Sequence, residues 1–201
     1  MTHKNERVLG PLPGSHRRKI IMGTERTEVS VPAPDLAPTG GAPVVVIGVG
    51  NEFRRDDGAG PAVVARQFGQ APPGVRLVVT DGEPAGLVEA WTGAPVAIVV
   101  DAVRAEPPHP GRVHRLVLDR PRPADPMGWS ASSHGLGLDD AVGLAVALNR
   151  MPGRLIVHPI EAADLGQGPG LTPPVAAAVA AAAAAVLADL GPYIQSSGRR
   201  M

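Results

Sequence analysis

The stretch Val44-Val45-Val46-Ile47-Gly48-Val49-Gly50-Asn51-Glu52-Phe53-Arg54-Arg55-Asp56-Asp57-Gly58-Ala59-Gly60 decides the fold of this chain. Its opening run, Val44 to Ile47, is continuously β-branched rather than alternating with polar residues. That pattern predicts a strand buried on both faces, as in parallel sheets with helices above and below. Gly48 and Gly50 end the run as a tight strand-to-loop turn. They do not complete a dinucleotide-binding fingerprint, because Phe53 stands where its third glycine belongs. From Asp57 to Phe68 the residues Ala62, Val63, Val64 and Ala65 predict a helix, with Pro61 tolerated in its first turn.

Outward from this unit the alternation repeats. Val75 to Thr80 predicts a second strand, Ala85 to Trp91 a short helix, and Val96 to Val100 a third strand ending at Asp101. The alternating Val113, Leu116 and Leu118 within 112–118 predict a strand that runs antiparallel at an edge, followed by a Pro-rich loop. Leu138 to Asn149 reads as a helix and Arg154 to Val157 as a strand. The last helix follows Gly170, with Thr172 as its N-cap and Pro173 at its first position. Val175, Val179, Val186 and Leu190 give it an apolar stripe among alanines, which let it lie close to the sheet. Consecutive βαβ units of this kind make the fold α/β, a three-layer α/β/α sandwich around a mostly parallel, twisted sheet of about five strands.

Residues 1–41 mix Pro, Gly, Thr and charges without a helical or strand period, which predicts a disordered N-terminal tail. Met22 within it is an alternative initiator. The folded α/β domain is expected over 42–192, and a flexible C-terminal tail over 193–201.

Lysine plus arginine and aspartate plus glutamate number 19 each, so there is no basic face for nucleic acid or an anionic membrane surface. The absence of cysteine excludes disulfides, thiolate metal sites and a cysteine nucleophile; any metal must be held by carboxylate and imidazole. The longest apolar run, Val175 to Leu187, is mostly alanine and shorter than the roughly 20 strongly apolar residues of a membrane span. Arg17, Arg18 and Lys19 are followed only by Ile20, Ile21 and Met22, too little for a signal-peptide apolar region, so a cytoplasmic location is expected.

In an open, mostly parallel sheet, ligands bind beyond the carboxyl ends of the strands. Asn51 to Asp57 follow the first strand, Asp81 ends the second, Asp101 ends the third, and His134 lies in a Ser/Gly-rich loop leading into a helix. Two carboxylates sharing a site repel each other, and a cation with an imidazole as third ligand removes that cost. Asp101, His134 and one member of the pair Asp56 and Asp57 are therefore candidate ligands of a borderline divalent ion such as nickel or zinc. Asp57 also stands near a helix start, where the macrodipole favours its ionised form. Asp139 and Asp140 are expected as exposed acids in a first helical turn, and Glu161 and Asp164 as solvated surface or part of a substrate-facing loop.

These residues carry a resemblance. Ile47-Gly48-Val49-Gly50-Asn51 followed by Asp56-Asp57-Gly58-Ala59-Gly60 resembles the N-terminal signature of the nickel-iron hydrogenase maturation endopeptidases. Asp81-Gly82 with Ala85-Gly86, Asp101-Ala102, Ser133-His134-Gly135-Leu136-Gly137-Leu138 and Gly170-Leu171-Thr172-Pro173 continue it in the family's order, across residues 43 to 190. The resemblance implies a single-domain protein that cuts the C-terminal extension from the hydrogenase large-subunit precursor after nickel insertion, recognising nickel supplied by that precursor; a monomer is expected. It selects Asp57 over Asp56 and implies Asp57, Asp101 and His134 as the metal-contacting residues, with Asp81 as a further acid linked to substrate processing. It also implies an aspartic-type peptidase by the family's naming, acting with the metal's assistance. Asp57 departs from the glutamate frequent at its position and is one methylene shorter. Two other functions fit the sequence: a non-catalytic nickel-dependent chaperone of the precursor, and a small-molecule hydrolase on a similar scaffold.

Overall fold

The computed structural model describes residues 44–67, 71–119 and 135–194. The elements follow in the order β1 (Val44–Val49), a 3-10 turn (Arg55–Gly58), α1 (Ala59–Gln67), β2 (Val75–Thr80), α2 (Pro84–Trp91), β3 (Val96–Val103), β4 (Leu116–Asp119), α3 (Gly135–Ala147), β5 (Arg154–Glu161) and α4 (Pro173–Ile194). The expected N-terminal tail lies outside the described residues. Of the expected C-terminal tail, residues 193 and 194 are described, and they complete α4.

The strands form one five-stranded sheet in the order β2-β1-β3-β5-β4. β1 pairs in parallel with β2 and β3, and β3 in parallel with β5. β4 is antiparallel to β5 at the edge, as its alternating pattern predicts. Every residue of β1 and β3 is buried, and the strand period divides them between two cores. Val44, Val46, Val96, Ile98 and Val100 pack with α1 and α4, whereas Val45, Ile47, Val49, Ala97 and Val99 pack with α2 and α3. Continuous β-branched runs are thus required here, because neither face is open to water.

Several elements depart from the sequence expectations. Strand β3 continues to Val103, because its partner β5 extends alongside it to Glu161, so Asp101 lies inside the strand and not at its end, and β4 covers only Leu116–Asp119, with Val113 forming an isolated bridge to Ile160. The helix expected from Asp57 is a separate 3-10 turn before α1, which begins at Ala59. Strand β5 runs four residues past Val157, through His158 and Pro159, to Glu161. Helix α3 starts at Gly135, so Asp139 and Asp140 fall in its second turn and do not complement the N-terminal dipole as expected.

Helix α4 does meet the length and hydropathy of a membrane span, with a mean hydropathy of 1.8 over its best window, where the run Val175 to Leu187 alone falls short. Its alanines account for that value. Val175, Ala178, Ala182, Ala183, Val186 and Leu190 are buried in the α1/α4 core, and Ala183 O accepts a hydrogen bond from Gln67 Nε2 at 2.9 Å. The helix packs on the domain by one face, with 33 % of that window buried.

Glycine brings α1 onto the sheet. A Cβ on Gly60 would lie 2.3 Å from Val49 O and 2.6 Å from Val100 O, and one on Gly48 2.5 Å from Gly60 O. The start of α1 therefore rests directly on the ends of β1 and β3, which is where the order of strands reverses direction.

Candidate active site

The carboxyl ends of β1 and β3 place two buried acids together. Register pairs Gly48 with Val100, so Asp101 comes level with Val49, and across the sheet it faces Pro159 of β5. By strand alternation its side chain falls on the α2/α3 face, with Ala97 and Val99. Asp57 arrives from the 3-10 turn, which folds back over the end of β1 with Asp57 N donating to Arg54 O at 3.1 Å. Gly50 makes that fold possible: its φ is +128°, and a Cβ there would stand 1.8 Å from Asp57 O. Asn51 N donates to Asp57 Oδ2 at 3.1 Å, and Arg54 Nη1 lies 4.0 Å from the same oxygen.

Asp57 is 0 % exposed and Asp101 2 %. Burial pushes the Asp101 carboxyl up to about 7; the Ala102 backbone N–H, which hydrogen-bonds it, opposes the shift, and the charge of Asp57 adds to it. Asp101 Oδ1 is buried without a hydrogen-bond partner among the described residues. A buried, unsatisfied oxygen beside a second carboxylate is costly, and a cation or a donor from a ligand relieves that cost. The pair thus fits as oxygen donors to a divalent ion. His134 lies outside the described residues, and among those described no three His, Asp or Glu side chains gather in a way that could hold a metal.

Asp81 stands on the same rim on the far side of β1. Val49 pairs with Thr80, so Asp81 and Asp101 flank β1 at two strand spacings, roughly 10 Å between backbones. It is exposed, and its Oδ1 accepts from Glu83 N at 3.2 Å, just ahead of the Glu83 side chain that caps α2 through Gly86 N.

Asp56 and Asp57 differ in their hydrogen bonding. Asp56 Oδ2 accepts from Ala163 N at 2.8 Å, Asp164 N at 2.9 Å and Thr172 Oγ1 at 2.9 Å, and Oδ1 from Thr172 N at 2.6 Å. Both oxygens are engaged in joining the β1–α1 loop to the β5–α4 loop. Thr172 precedes α4 as expected and its carbonyl accepts from Ala176 N, but its hydroxyl is directed at Asp56.

Glu161 is not solvated surface. At 2 % exposure it accepts from His109 N at 2.5 Å and His114 Nε2 at 2.7 Å, pinning the segment before β4 against β5. Burial raises its carboxyl, but the hydrogen bonds and charges of His114 and His109 prevail and hold it below its ordinary value. Asp164 is exposed and accepts from Gly166 N. Sequence reading also missed Arg54 beside Asp57 and the Asp56–Thr172 link; the only local signal for them is the acidic doublet itself.

A family model of hydrogenase maturation proteases, HycI, matches residues 69–189, a span that includes Asp81, Asp101 and His134 and begins after Asp57. In structure the chain is similar to the hydrogenase maturating endopeptidase HybD from E. coli, at 26 % identity and a TM-score of 0.62, with 77 % of this chain and 93 % of that one covered. It is also similar to the hydrogenase 2 maturation peptidase from Thaumarchaeota archaeon SCGC_AB-539-E09, at 29 % identity and a TM-score of 0.56, covering 74 % and 97 % respectively. The [NiFe] hydrogenase maturation protease HybD from Thermococcus kodakarensis shares the fold at 23 % identity and a TM-score of 0.57, covering 71 % of this chain and 95 % of that one. No curated protein matches the chain.

Proposed function

The chain belongs to the hydrogenase maturation protease family, and from that membership we propose that it removes the C-terminal extension of a nickel-iron hydrogenase large-subunit precursor once nickel has been inserted. The observation that carries this reading is the buried pair Asp57 and Asp101 at the β1/β3 rim, with Asp101 Oδ1 lacking a partner among the described residues. A site so built favours a ligand that brings positive charge or hydrogen-bond donors into it.

Nickel enters as part of the substrate. Two carboxylate donors and the imidazole of His134 suit the coordination of such an ion, so Asp57, Asp101 and His134 recognise the precursor through its metal and place the scissile peptide. His134 is supported by the position of its neighbour. β5 begins at the opposite end of the sheet shortly after α3 ends, and the 13 residues of α3 span roughly 20 Å, which brings its start at Gly135 back towards the rim. A bound divalent ion polarises a carbonyl and lowers the pKa of water. The chain's own residues hold the acceptors in a low-dielectric corner, where interactions with charge are stronger than in water. Asp81, displaced along the rim, bears on the peptide flanking the metal.

Incubation of the purified protein with nickel-loaded and nickel-free precursor tests this. Loss of the C-terminal extension from the nickel-loaded sample alone is expected. Loss from neither sample would sink the reading, and complex formation without cleavage would replace it with the chaperone.

A further inference from the structure

We propose that Asp56 is a positioning residue for Asp57, acting through a clasp between the β1–α1 and β5–α4 loops. The inference rests on the reading of Asp57 as a substrate-facing acid. Asp56 and Asp57 are neighbours in a 3-10 turn, both 0 % exposed, and they serve different loops. Asp56 closes on Ala163, Asp164 and Thr172 through four hydrogen bonds. The backbone reinforces this on either side: Asp56 N donates to Asp164 O at 3.0 Å, Arg55 N to Gly168 O at 2.8 Å, and Gly168 N to Phe53 O at 2.8 Å. Arg55 is held at φ +50°, a conformation that costs a non-glycine residue energy and persists where its surroundings enforce it.

Asp57 by contrast has Asn51 N on one oxygen and the Arg54 guanidinium nearby, both within its own loop. The 3-10 turn that carries Asp57 is only four residues long, and Asp56 ties it to a loop more than a hundred residues away in the chain. All four of its partners are donors, so a carboxylate satisfies them together. An Asn amide turns one acceptor into an NH2 group facing an N–H or O–H, which opens the clasp while preserving shape.

The test uses Asp56→Asn in the full chain, read by amide hydrogen exchange and by precursor cleavage. In both positioning and purely structural roles the amides of Ala163, Asp164 and Thr172 lose protection. Only positioning extends that loss to the Asn51 amide, which is covered by the Asp57 carboxylate; its exchange is expected to quicken at least about tenfold. Cleavage of nickel-loaded precursor, measured well below the unfolding temperature, is expected to lose about 10- to 100-fold in kcat with KM little changed. Unaltered exchange at Asn51 with the other three amides released would overturn the proposal. Should Asp56→Asn fail to fold, Thr172→Val removes one donor alone: it must quicken Asn51 exchange, and Thr172→Ser must restore it, or the proposal fails. Wild-type protein that cleaves no precursor counts against the function proposed for the site, and the Asn51 exchange still decides the clasp.

Discussion

Asp56 and Asp57 are consecutive and equally buried, yet Asp56 accepts hydrogen bonds from the β5–α4 loop at Ala163, Asp164 and Thr172, whereas Asp57 accepts from Asn51 beside the end of β1. One acid therefore joins two loops, and the other accepts a hydrogen bond within its own loop.

Asp101 makes the site's stability depend on pH. Its carboxyl releases its proton at about 7 in the folded protein against 3.8 ordinarily, so between those values the folded state binds more protons than the unfolded chain. Its contribution is fully present below the lower value and is lost as pH rises through the upper one. Measured by urea unfolding without added metal, Asp101→Asn is expected to equal wild type near pH 4 and to exceed it at pH 8 by on the order of 3–4 kcal/mol. The same variant is expected to cleave no precursor. Equal stabilities at pH 8 would show that Asp101 ionises in a compensated environment.

His134→Ala is expected to abolish processing while leaving stability within about 0.5 kcal/mol of wild type, as for a substitution that removes a ligand and little packing. Thermal unfolding and the cleavage assay together check it. Normal processing by this variant would remove imidazole from the site.

Glycine substitutions should separate close approach from backbone freedom. Gly60→Ala inserts a methyl 2.3 Å from Val49 O, with backbone on both sides unable to yield, and is expected to cost more than about 3 kcal/mol. Gly93→Ala meets nothing within 4 Å and carries only its positive φ, so about 1 kcal/mol is expected. Comparable losses in denaturant titrations would contradict the seating of α1 on the strand ends.

On the other side of β5, His158 is 0 % exposed and its Nε2 lies 2.8 Å from Asp189 Oδ2, while Arg115 Nη2 donates to Asp189 Oδ1 at 2.7 Å. Asp189→Ala leaves the imidazole buried without that partner and is expected to cost about 2–4 kcal/mol. Arg115→Ala removes a half-exposed partner and is expected to cost at most about 1 kcal/mol. Equal losses would place the stabilising interaction in the Arg115 pair instead of the buried His158 pair.

Much of this architecture is legible in residue pattern. The continuous apolar runs that open β1 and β3 identify the central strands, and the alternation of Leu116 and Leu118 identifies the antiparallel edge, because burial on two faces or one sets those periods. Strand β5 is read too short since His158 and Pro159 look like a break; Pro159 keeps its carbonyl, which accepts from His114 N at 2.9 Å. The start of α3 is read late because Gly135 and Gly137 are weak helix formers. Asp57 lies in the loop after β1 as its sequence position indicates, whereas Asp101 lies inside β3, two residues before the strand ends at Val103. The separate duty of Asp56 is not legible, since its partners lie 107 and more residues downstream.

Helix α4 runs from the loop at Thr172 along the α1/α4 core. Small side chains at Ala178, Ala182 and Ala183 keep its axis near the sheet, and Thr172, just before its first turn, is tied to Asp56. A bulkier residue in that stripe would lift the helix as a lever pivoting at Thr172, so changes far from the acids become a means of tuning them.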